Sequence, residues 1–89
     1  MARQIKLNGR ENTMMRTIGF GLGVTGAEIQ ERMAMSAEET VEILNTLLDT
    51  GFVETATMKD RVTLADYATE NFEINPSYAT DLRLAMKRN

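Results

Sequence analysis

The feature that most constrains this chain is the stretch Glu28–Val53, EIQERMAMSAEETVEILNTLLDTGFV. It reads as a helix, a short turn, a second helix and the start of a strand. Thr25-Gly-Ala-Glu28 places a hydroxyl where it accepts from the orphan amides of a first turn and a carboxylate three residues on, which opens a helix running to about Met33. Ser36-Ala-Glu-Glu39 repeats that capping-box signature and opens a helix to about Thr50. Val41, Leu44, Leu47 and Leu48 form its inward stripe, widened by Ile43, while Glu38, Glu39, Glu42, Asn45, Thr46 and Asp49 are expected outward. Gly51 suits a left-handed C-terminal cap.

The flanks fit one small domain over residues 1–89, because a chain of this length builds a single modest core. Gln4–Leu7 alternates polar and apolar as a short strand would. Asn8 and Glu11 open a first helix, with Met14, Met15 and Ile18 at helical spacing out to about Phe20. Gly19, Gly21, Gly23 and Gly26 then end it, since each glycine costs a helix ~1 kcal/mol relative to alanine. Phe52–Thr57 reads as a strand and Asn71–Asn75 as its partner, with Phe72 and Ile74 on one side. Met58–Glu70 is long for a hairpin and holds either a short strand at Arg61–Leu64 or one helical turn after Thr63. Asn75-Pro76 opens a terminal helix over 76–88, where Tyr78, Leu82, Ala85 and Met86 make the packing stripe.

Helix, helix, turn, helix, hairpin is an order that resembles the winged helix-turn-helix family. The likeness is carried by Glu28 and Ile29 at the opening, Ser36 as the cap after the turn, and Gly51, Phe52 and Val53 at the exit. It covers about residues 8–75 and implies an α+β fold: a three-helix bundle with a small antiparallel hairpin or sheet and a C-terminal helix. In that frame the helix-turn-helix spans 26–50, the wing 52–75 and the last helix 76–88. The turn position that usually holds glycine is Ala34, which would carry ~1 kcal/mol of strain at positive φ.

The resemblance implies DNA reading by Ala37, Glu38, Glu39, Val41 and Glu42, and wing contacts from Lys59 and Arg61. The charges oppose it. No Lys or Arg lies between Ala37 and Val53, and neutralising phosphates supplies most DNA affinity. The net charge of −3 is unevenly spread. Arg3, Lys6, Arg10 and Arg16 face one carboxylate in the first sixteen residues, and Arg83, Lys87 and Arg88 face none in the last eight. Between these ends, Arg32, Lys59 and Arg61 stand against twelve carboxylates. This differs from the one-sided basic footprint of a nucleic-acid binder.

The chain has no cysteine and no histidine, which removes thiolate ligands, the commonest metal ligand and the usual proton shuttle. Gly21-Leu-Gly23-Val-Thr-Gly26 matches a dinucleotide-binding pattern, but a helix rather than a strand precedes it, so it reads as a turn. The methionines exceed what a small core needs. Met14, Met35 and Met58 are not all expected inside, and methionine also suits adaptable contact surfaces. No apolar run reaches the ~20 residues of a membrane span.

The expectation is therefore a cytoplasmic, non-enzymatic regulatory module without cofactor, metal, membrane or small-molecule ligand. It would hold a protein partner or its own copy through Glu38, Glu39, Glu42, Asn45, Thr46 and Met35. The alternative is a DNA-binding transcriptional regulator that uses the third helix with Lys59 and Arg61 in the wing.

Overall fold

Three local chemistries start the first three helices of the computed structural model, which describes residues 7–88. Asn8 caps α1 (Gly9–Ile18): its Oδ1 accepts from the Glu11 amide at 2.8 Å, and the Glu11 carboxylate accepts from the Asn8 amide at 3.1 Å. Thr25 and Glu28 close the same reciprocal pair at the head of α2 (Gly26–Met33). Ser36 caps α3 (Ala37–Thr50) by accepting from the Glu39 amide at 3.1 Å. The reciprocal half expected there does not form, because the Glu39 carboxylate turns to the Arg10 guanidinium on α1.

The ends of these helices are also locally set. Gly51 takes the left-handed cap of α3 with φ 83°. Ala34 caps α2 at φ 52°, ψ 46°, so the turn keeps the glycine-like conformation despite its Cβ. Its amide donates to the Gln30 and Glu31 carbonyls, which offsets part of that strain.

The sheet contains a strand that the sequence does not suggest. Residues Val24–Thr25 form β1 inside the glycine-rich segment, followed after α3 by β2 (Val53–Thr55) and β3 (Asn71–Ile74). The order is β1-β3-β2, antiparallel throughout, with Val24 opposite Phe72 and Val53 opposite Ile74. Gly26 is required at the junction of β1 and α2, since a Cβ there would collide with the Tyr67 backbone carbonyl. Strands β2 and β3 run shorter than the expected 52–57 and 71–75. The expected strand at Gln4–Leu7 lies almost wholly outside the described residues, and Leu7 is not in a strand.

Between β2 and β3 there is no additional strand. Of the two readings of Met58–Glu70, the single helical turn is the one found. The Asp66 and Tyr67 amides donate to the Thr63 carbonyl at 3.2 and 3.0 Å, and Asp66 Oδ1 accepts from the Thr63 amide at 2.7 Å. After β3, Asn75 caps a 3-10 turn at Pro76–Tyr78 that runs into α4 (Ala79–Arg88).

The core lies where α1, α2 and α3 meet the sheet. Met14, Met15, Ile29, Leu44 and Phe72 are fully buried, and each side chain of this kind contributes about 1.5–3 kcal/mol by leaving water. Leu82 and Met86 close one side from α4, as expected. Tyr78 is half-buried and meets Phe52 edge-to-face at 5.2 Å. Met14 belongs to the core, whereas Met58 is 71% exposed. No described helix is long and apolar enough to cross a membrane.

Candidate interaction surface

The outer side of α3 is built by its own periodicity. Leu44 and Leu47 anchor the helix inward, with Val41, Ile43 and Leu48 half-buried beside them. Glu38, Glu42 and Thr46 are thereby exposed. Glu38 and Glu42 make no ion pair with any described residue, although Arg10, held by Glu39, lines a shallow pocket together with Glu42.

Asn45 corrects the sequence reading. It was expected on this outer surface but is buried, and its amide side chain clamps one backbone unit of the β2–β3 loop. Oδ1 accepts from the Val62 amide at 2.8 Å and Nδ2 donates to the Val62 carbonyl at 3.0 Å. A buried peptide group needs such partners. Asn45 is thus a structural residue that holds the loop against α3, and it leaves the set of surface candidates.

Met35 is half-buried beside Met33, and the two line a groove of about 440 Å³ between the start of α1 and the α2–α3 turn. Arg10, Thr13 and Glu39 complete its walls. The Arg10–Glu39 ion pair crosses from α1 to α3 at its edge. Arg10 was not singled out from the sequence, because its partner lies 29 residues away and no local pattern links them.

Both cations expected in the wing are engaged within the chain. Lys59 Nζ lies 3.0 Å from the Asp66 carboxylate and 3.5 Å from that of Glu70. The Asp66 hydrogen bond, aided by the charges of both carboxylates, pushes the lysine pKa up, against the pull of desolvation. Asp66 is held below the usual carboxylate value, first by the Thr63 amide and then by Lys59. Glu70 is buried, and Thr57 Oγ1 donates to it at 3.0 Å. Arg61 meets Asp49 of α3 at 3.3 Å, an exposed pair of little energetic weight that still faces the guanidinium with a carboxylate.

A second, unexpected feature lies beyond the other end of α1. The Arg83 guanidinium sits 4.5 Å above the Phe20 ring. Arg16 and Lys87 adjoin them around a cleft of about 240 Å³ floored by Met86. Arg16 is fixed there: Nε donates to Asn12 Oδ1 at 2.7 Å and Nη2 to the Met86 carbonyl at 2.6 Å. Leu22, two residues beyond Phe20 in the glycine-rich segment, is 95% exposed. The available signal in the sequence was an apolar residue isolated between Gly21 and Gly23, where it has no helical or strand stripe to join. Among the described residues no cluster of acidic side chains is placed to hold a metal ion.

Compared with known protein families, with curated protein sequences and with solved structures, the chain shows no match.

Proposed function

We propose that this chain is a non-enzymatic interaction module on a winged-helix scaffold, holding a protein partner or a second copy through the outer face of α3 and the methionine groove beside it. The scaffold reading is supported by the order α1-β1-α2-α3-β2-β3, by the three-residue turn that ends in Ser36, and by a hairpin completed by a strand placed between the first two helices.

One observation carries the choice of protein over DNA. The hairpin cations Lys59 and Arg61 pair with carboxylates of their own chain, while Glu38 and Glu42 on α3 pair with no cation among the described residues. A duplex approaching this face would meet unscreened negative charge and would have to displace internal ion pairs to gain cations. A protein partner with Lys or Arg around an apolar anchor would satisfy the glutamates and fill the groove together.

The test is the double charge reversal Glu38→Lys and Glu42→Lys, at exposed positions where lysine preserves helix propensity. Binding of a lysine-rich amphipathic peptide, followed by fluorescence anisotropy, should be lost in the variant, and nonspecific duplex binding should appear in it. Unchanged peptide binding by the variant would discard the assignment of this face.

A further inference from the structure

We infer that the occupant of the methionine groove is the Phe20–Leu22 loop of a second copy of this chain, giving a head-to-tail contact. This rests on the proposal that the groove and the acidic face of α3 are a docking surface, and it names the partner. Three observations support it.

The loop is shaped as an anchor. Leu22 is 95% exposed and Phe20, two residues before it, is 36% exposed, so one glycine-rich loop carries two large apolar side chains that meet solvent. Isolated exposed apolar residues need no explanation, but a group of large ones marks a contact site. Leu22 lies within about 7 Å of Phe20 along the chain, since two residues span no more than that.

Its rim has the complementary charge. Arg16, Arg83 and Lys87 border the Phe20 cleft, and none is paired with a described carboxylate, whereas Arg10, Arg32, Lys59 and Arg61 all are. Arg16 is oriented by Asn12 and the Met86 carbonyl, and two of its five donors are used there, so the guanidinium stays free to receive a carboxylate. The groove has an apolar lining of Met33 and Met35, its one wall cation Arg10 is paired with Glu39, and Glu38 and Glu42 stand exposed on the adjoining helix, which leaves the excess charge there negative. Methionine side chains adapt to an inserted leucine without a preformed fit.

The geometry makes the contact intermolecular. The groove is lined by Gly9, Arg10 and Thr13 from the first turns of α1, and the anchor follows the last turn. A ten-residue helix separates them by about 15 Å, so no copy reaches its own groove. Two different surfaces joined in this way form a heterologous interface, which grows into chains or closes into a ring.

Two variants, each disabling one surface, test this by sedimentation velocity. Leu22→Asp removes the anchor at an exposed loop position, and Thr13→Lys fills the groove from an exposed helical position that tolerates lysine. Wild type should show a weight-average mass that rises with concentration beyond twice the 10.0 kDa monomer, and the rise should shrink in high salt. Each variant alone should remain monomeric. An equimolar mixture should stop at twice the monomer mass, because only one intact interface can form. A wild type that stays monomeric at millimolar concentration, or single variants that still associate, would overturn the inference. A monomeric wild type that still binds the lysine-rich peptide through Glu38 and Glu42 would leave the docking reading standing and remove only the second copy as occupant.

Discussion

Replacing Asn45 with alanine isolates the contact that turns an apparent surface residue into a structural one. The side chain makes two hydrogen bonds, at 2.8 and 3.0 Å, to the amide and carbonyl of Val62, itself buried. Each bond contributes about 0.5–1.5 kcal/mol net, but truncation also leaves a buried donor and acceptor unpaired at about 1–3 kcal/mol each. Allowing for some entry of water, Asn45→Ala should cost about 2–4 kcal/mol. For a domain of this size each kcal/mol lowers Tm by about 4–8 °C, so the melting point should fall by about 8–32 °C. Thermal unfolding by circular dichroism, with urea unfolding as a check on the slope, measures this. Hydrogen exchange at the Val62 amide should accelerate more than exchange in β3. Thr46→Ala, one residue on and exposed, should stay within about 0.5 kcal/mol of wild type. Equal small effects at 45 and 46 would refute the burial of Asn45.

Ala34→Gly should stabilise the chain by about 0.5–1 kcal/mol: it relieves ~1–2 kcal/mol of left-handed strain at φ 52° and gives back ~0.5–1 kcal/mol in unfolded-chain entropy, as urea unfolding would measure. Glu54 and Glu73 face each other directly across β2 and β3, so Glu73→Lys should add about 0.2–1 kcal/mol, read as a raised Tm. Asp66 has a folded-state pKa below its ordinary 3.8, so its contribution to the loop is present above that value and is lost as pH falls through the lower folded value. Lys59 is shifted upward, so its contribution is present below 10.5 and is lost as pH rises through the higher folded value. Amide chemical shifts at Thr63 and Lys59 should therefore hold steady between these limits and move together at the acid end.

What was legible in the sequence was what neighbouring residues decide. Asn8, Thr25 and Ser36 start helices because a cap acts over three residues, and Gly51 ends one for the same reason. The strand β1 was not legible. Val24 and Thr25 sit among glycines, and they become a strand only by pairing with Phe72 and Asn71 from the far end of the chain. Glu39 was read as a completed capping box, yet its carboxylate goes to Arg10, a contact no local rule contains. Asn45 did carry a signal. It stands four residues after Val41 and three before Leu48, inside the stripe those two define, so helical spacing placed a polar side chain at the buried boundary. Its partner, 17 residues on in a loop of undecided structure, was out of reach. The acidic character of α3 was plain from the sequence, whereas the commitment of Lys59 and Arg61 to internal carboxylates depended on how the β2–β3 loop folds back.

The most direct measurement is a titration of labelled duplex DNA with the wild-type protein by fluorescence anisotropy, at 50 mM and 200 mM salt. With Glu38 and Glu42 exposed and unpaired among the described residues, and both hairpin cations engaged, the expected result is no saturable binding at protein concentrations up to about 100 μM, the weak end of nonspecific DNA affinity. Micromolar binding that weakens steeply between the two salt concentrations would contradict it.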